Sequence, residues 1–231
     1  MSSFKRLIPR SAATAVLAFT ALTATAWAAD LSVYRGFALG SSLPAVAKQT
    51  GAKVEDAKIT QSRPALIQVL AWRPQTLSAS TQTEPAQDVT FTFYNGELLR
   101  ILVSYDRYET EGLTPNDITE AFSATFGVPE RPTGASKVVQ GAYGDQEELV
   151  ARWEDAKYRF ELIQASFGPS YRLVGVLKRL EAPAQASILE AARLDEKEAP
   201  QREAAQKLTD GEIERAKLEK ARLVNKPKFR P

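Results

Sequence analysis

Between Asp30 and Glu181 the chain sets out a short capped helix followed by three short strand-like runs, and then does so a second time. This alternation constrains the fold more than any other feature, because side chains repeat every 3.6 residues on a helix and every two on a strand. The first helix signal, Ser42-Leu-Pro-Ala-Val-Ala-Lys-Gln-Thr-Gly51, has serine at the cap, proline in the first turn and glycine just past the end. Thr114-Pro-Asn-Asp117 through Phe126-Gly127 repeats that grammar, with an acid three residues after the cap and Pro129 beyond the stop. The runs that follow are short, alternating and rich in β-branched and aromatic residues: 66–73, 89–94 and 98–105, then 149–153, 158–163 and 171–178. The expected fold is α+β. Antiparallel sheets are built from two helix-plus-three-strand units with helices on one face, followed by a helical C-terminal tail. Gly51 and Gly127 lie 76 positions apart, Trp72 and Trp153 81, which is consistent with duplicated units at 31–108 and 109–181. Small α+β domains also reuse this element order without duplication, and the motifs the two halves share are only a few residues long.

The first hairpin can be read more closely. A two-residue Asn95-Gly96 turn continued in strict register sets Phe91 opposite Arg100. A three-residue loop, Tyr94-Asn95-Gly96, instead pairs Phe91 with Leu99 and Val89 with Ile101, collecting the apolar side chains on one face. The second register is therefore expected. It leaves Thr90, Thr92 and Arg100 on the opposite face, which makes them the candidate binding residues of a sheet covered on one side only.

At the N-terminus Lys5, Arg6 and Arg10 precede an apolar stretch from Ser11 to Trp27 and the small-residue pattern Ala26-Trp27-Ala28. Residues 1–28 thus read as a Sec-type signal peptide cleaved after Ala28, which places the mature chain in the periplasm or outside the cell. Cleavage leaves 27 basic against 28 acidic residues. The basic character of the precursor is lost, and with it any composition argument for nucleic acid as a partner. No later apolar run approaches membrane-spanning length.

From residue 182 the composition shifts to Ala, Glu, Lys, Arg and Leu. A helix is expected around 184–194, a break at Pro200 and a further helix after Thr209, whose Thr-Asp-Gly-Glu212 fits a capping box. The charged helical tail 182–231 ends in a basic cluster, Lys217, Lys220, Arg222, Lys226, Lys228 and Arg230, expected to fray and able to touch anionic surfaces.

The chain has no cysteine and no histidine. That removes Ser-His-Asp and thiol catalysis, iron–sulfur ligation and the usual zinc sites, and no cofactor or metal is expected. Carboxylate chemistry on a glycan stays open, with Asp106, Glu109, Glu111, Glu154 and Asp155 as candidates. Acids beside strand ends are ordinarily turn residues, and a strand tryptophan such as Trp72 or Trp153 is ordinarily a core anchor.

Gly40-Ser-Ser-Leu-Pro44 before the first helix, Phe91-Thr-Phe-Tyr-Asn-Gly96 in the hairpin and Trp153-Glu-Asp155 before the second hairpin give this arrangement its likeness to known modules. From Tyr34 to Leu180 the element order resembles bacterial envelope modules of the β-lactamase-inhibitor-protein-like class, in which a helical segment precedes an antiparallel meander. That class usually opens each unit with a helical hairpin, whereas one helix per unit is visible here. The resemblance implies a non-enzymatic module that binds a protein or a cell-envelope component. The alternatives are a carboxylate-dependent glycan hydrolase and a carrier of small apolar ligands between sheet and helices.

Overall fold

The computed structural model describes residues 30–74, 85–133, 138–140, 146–165, 171–228 and 230. The signal segment 1–28 and its cleavage site lie outside them. A two-stranded hairpin, β1 (Val33–Tyr34) and β2 (Phe37–Ala38), leads into α1 (Leu43–Thr50). A single 3₁₀ turn (Val54–Asp56) precedes β3 (Lys58–Gln61), β4 (Ile67–Trp72), β5 (Ala86–Tyr94) and β6 (Glu97–Tyr105). The second half repeats the order with α2 (Pro115–Phe126), β7 (Val138–Gln140), β8 (Gln146–Glu154), β9 (Tyr158–Gln164) and β10 (Tyr171–Leu177). Strands β3 to β10 form one eight-stranded antiparallel sheet in the order β3-β4-β5-β6-β10-β9-β8-β7. Each half is thus a helix followed by a meander, and the two meanders meet at their last strands, β6 and β10. The expected helix and three strands of each half are present, extended at the outer edge by a fourth short strand, β3 or β7.

Both helix ends follow the local signals. In α2, Thr114 Oγ1 accepts from the Asp117 backbone N–H at 3.2 Å, while Asp117 Oδ2 accepts from the Thr114 N–H at 2.7 Å. Two of the orphan donors at the helix start are satisfied this way. Gly51 ends α1 in the left-handed region at φ 72°, which glycine adopts without steric cost.

The first hairpin solves its register differently from expectation. Asn95 and Gly96 both have positive φ, at 51° and 83°, and form a two-residue turn that pairs Tyr94 with Glu97 and Phe93 with Leu98. A bulge at Leu99 then shifts the register, so that Thr92 faces Arg100, Phe91 faces Ile101 and Val89 faces Val103. An inserted residue in the strand, rather than a longer loop, keeps the apolar residues on the core side.

The core lies on that side. Phe91, Ile101, Phe160, Leu162 and Leu173 are fully buried beneath α1 and α2. Phe126 stacks on Phe160 with ring centroids 4.6 Å apart, and Phe122 and Phe126 each meet Trp153 edge-on at 5.9 and 5.7 Å. Trp153 Nε1 donates to the Gly127 carbonyl at 3.0 Å, which ties the end of α2 to β8. Trp72 packs half-buried against Phe37 at 5.5 Å. Both tryptophans are therefore core anchors.

The C-terminal segment requires a correction. It is one continuous helix, α3 (Lys178–Asn225), of 48 residues, roughly 72 Å long. The expected break at Pro200 does not occur, although proline removes a hydrogen bond from the helix interior. Good helix formers flank it on both sides, and Arg202 straddles it, its Nη2 donating to the Asp195 carbonyl at 2.8 Å. Arg63, from the turn after β3, braces the same stretch through Glu198 at 2.6 Å and Asp195 at 3.4 Å. Thr209 caps nothing. It lies mid-helix, and its hydroxyl donates to the Ala205 carbonyl. The basic cluster does not fray from Lys217, because helix persists to Asn225 and a turn follows through Lys228.

Candidate functional site

The register assigns residues to the second face of the sheet, away from α1 and α2. One cross-strand row runs Val69, Thr92, Arg100, Val176, Arg159, Glu154, and the next runs Ala71, Thr90, Leu102, Val174, Glu161, Arg152. A third brings Asp88, Ser104, Arg172 and Ile163 together. Four guanidinium groups therefore share one surface with several carboxylates, although their positions span 73 residues of chain.

This face is not left wholly open. α3 begins immediately after β10, turns back across the first-row end of the strands and buries Leu180, Ala184 and Ser187. Gln61 Nε2 donates to the Ser187 carbonyl and hydroxyl, both at 3.3 Å. A small space of about 290 Å³ remains between helix and sheet, with Thr92, Arg100, Arg159, Glu161 and Glu181 around it. Thr92 and Arg100 therefore lie beside α3, whereas Thr90 lies in the row beyond.

The charges are mostly paired. Arg152 donates to Glu161 Oε1 through Nε at 3.0 Å and Nη2 at 2.7 Å. Arg159 pairs with Glu181, Arg172 with Glu147 and Lys178 with Glu154. The Lys178 hydrogen bond holds the Glu154 carboxyl below its ordinary range. The buried Nε–H of Arg172 has no hydrogen-bond partner among the described residues, and that of Arg159 makes only a longer ion-pair contact, 3.5 Å from Glu161 Oε1. Arg100 remains exposed as a residue, yet the crowding of its neighbours desolvates it and lowers its proton affinity.

The other expected site residues fall elsewhere. Lys217, Lys220, Arg222, Lys226, Lys228 and Arg230 are all exposed, far from the sheet rows in sequence and beyond the part of α3 that packs on it. Asp106 Oδ1 accepts from the Tyr108 and Glu109 N–H groups, and Asp155 Oδ1 from those of Lys157 and Tyr158, so both acids shape turns. Among the described residues no group of three or more potential metal ligands is assembled, and no helix is long and apolar enough to cross a membrane.

A second feature escaped the sequence reading. On the helix side, a cleft of about 490 Å³ opens between α2, β1 and the end of β6. Its walls include Val33, Ile118, Phe122 and Phe126. Tyr34 and Tyr105 also line it, their hydroxyls 3.0 Å apart although the residues lie 71 positions apart in sequence. No local pattern announces such a pair. Comparison with family models, with curated proteins and with solved structures found no match to this chain.

Proposed function

We propose that this chain is an exported, non-enzymatic binding module that recognises a protein or cell-envelope component through the second face of its sheet. The observation that carries the reading is the set of cross-strand rows in which Arg100, Arg159, Arg172 and Arg152 lie beside Thr90, Thr92 and Ser104. A sheet surface is preformed, so little side-chain or loop ordering opposes association. Arg100, exposed on this face, offers a guanidinium fork of donors, which favours a partner presenting carboxylates or phosphates. The likeness in element order to inhibitor-protein-like envelope modules supports the same reading. The basic cluster at the end of α3 contributes attraction that salt screens within about 10 Å at 0.1 M.

The test is affinity capture from envelope extract at low and moderate salt. It compares the mature protein, a face variant (Thr90→Glu with Arg100→Glu) and a tail variant (Lys220→Glu with Arg222→Glu). A partner recognised by the sheet survives moderate salt and the tail changes, and falls about tenfold or more with the face variant, as for truncation at an interface hot spot. Capture that depends on the tail residues and ignores the face variant overturns the reading.

A further inference from the structure

We propose that the cleft between α2, β1 and the end of β6 binds a small neutral apolar molecule carrying one hydrogen-bond-accepting oxygen, such as an aryl or acyl ketone, ester or amide. The inference is independent of recognition by the sheet face, since cleft and rows lie on opposite sides of the sheet.

Size and lining come first. At about 490 Å³ the cleft falls in the range of small-ligand sites, roughly 300–1,000 Å³, and its walls are predominantly apolar. Phe122 stands on one wall, half-buried, with its ring edge-on to Tyr105 at 5.8 Å and stacked on Phe126 at an interplanar angle of 3°. These rings are already fixed by the core, so a flat or extended apolar guest meets a preformed slot.

The polar chemistry is concentrated at one place. Tyr34 and Tyr105 are 4% and 7% exposed and hydrogen-bond to one another. Two phenols carry two hydrogens, and the bond between them uses one. Arg35, beside Tyr34, is a donor and cannot take the second. Both tyrosines line the cleft, so the hydrogen not used between them is available to a ligand oxygen seated there. Burial raises the proton affinity of both tyrosines, so both stay protonated donors at neutral pH.

Charge at the mouth selects against anions. Arg35 is opposed there by Glu109 and Asp117, and Asp117 is already committed to the Thr114 cap. Two carboxylates against one guanidinium disfavour an anion, whereas the phenol pair rewards a neutral acceptor.

The experiment uses prodan, a neutral naphthyl ketone whose emission reports the polarity around it, with acetylnaphthalene and ethylnaphthalene as competitors of nearly equal shape. Prodan emission shifts to the blue on binding the mature protein, and acetylnaphthalene displaces it at about fivefold lower concentration than ethylnaphthalene, the ordinary worth of one hydrogen bond. Ala121→Trp fills the cleft from an exposed position on α2 and lowers prodan affinity at least about tenfold with the melting temperature unchanged. Tyr34→Phe with Tyr105→Phe removes both hydroxyls together, leaves neither hydroxyl buried without the other, frees only the exposed Arg35 side chain and makes the two competitors equal. Prodan binding that survives Ala121→Trp, or a preference for the ketone that survives the double phenylalanine variant, overturns the proposal. So does the absence of any preference in the parent protein, an outcome that needs no variant to fold.

Discussion

Gly175 sits in the middle of β10 directly opposite Phe160 of β9, and a single methyl group there tests the packing on which the fold rests. A Cβ built at Gly175 falls 2.7 and 3.0 Å from Cζ and Cδ1 of the Phe160 ring, and closer still to Cε1. Ordinary carbon contacts lie near 3.5–4.0 Å, so the overlap is about 1 Å. The ring has nowhere to go, since Phe160 is fully buried and stacked on Phe126 at 4.6 Å. Alanine gains about 0.5–1 kcal/mol over glycine through the unfolded chain, while forcing a methyl into a packed core costs about 1–3 kcal/mol, more where the neighbour is clamped. Gly175→Ala is therefore expected to destabilise the protein by about 1–2 kcal/mol, or roughly 2–8 °C in melting temperature for a chain of this size. Urea denaturation of the parent, Gly175→Ala, Phe160→Leu and the double variant supplies the cycle. With leucine at 160 the same alanine should become neutral or stabilising, because the ring that it strikes is gone. A neutral Gly175→Ala in the parent, or an equal cost in the Phe160→Leu background, refutes the packing argument.

Three further outcomes are expected. Intact mass of the exported protein should place its first residue at Ala29, and a retained N-terminus would mean an anchored rather than processed chain. A mature chain ending at Glu181 lacks the buried Ala184 and Ser187 and the ties from Gln61 and Arg63, so it should melt lower and bind an apolar dye, whereas one ending at Gln206 should melt like the full chain. The Thr114 hydrogen bonds hold the Asp117 carboxyl below its ordinary value, so its contribution is present above the unfolded value near 4 and fades as pH falls through the folded value. Asp117→Asn should accordingly lower the melting temperature at pH 7, and the gap from the parent should narrow on acidification below about pH 4.

Local chemistry was legible in the chain because its determinants lie within a few residues of one another. The capping box at Thr114, the stops at Gly51 and Gly127, and the alternation that marks six strands all act through neighbouring backbone groups, and all six strands and both helices form where the signals lie, although the Ser42 side chain at the start of α1 makes no cap hydrogen bond. The outer strands β3 and β7 carried too little apolar pattern to be seen, since an edge strand is specified mainly by the partner it pairs with. The two-residue turn at Asn95-Gly96 was visible, but the bulge at Leu99 was not, because only the core facing Phe91 and Ile101 decides which register is buried. Proline at 200 looked like a helix end, yet good helix formers flank it and the turn before it is tied to Arg63, more than 130 positions away in sequence. The same separation hid both candidate sites. The second face of the sheet could be assigned to Thr90, Thr92 and Arg100 from one hairpin alone, but Arg152, Arg159 and Arg172 join them only because the two meanders meet at β6 and β10. The Tyr34–Tyr105 pair exists only because β1 folds over the end of β6. Periodicity, capping and composition are short-range and reside in the sequence, whereas the juxtaposition of charges and hydroxyls is set by sheet order, which depends on burying the whole core at once.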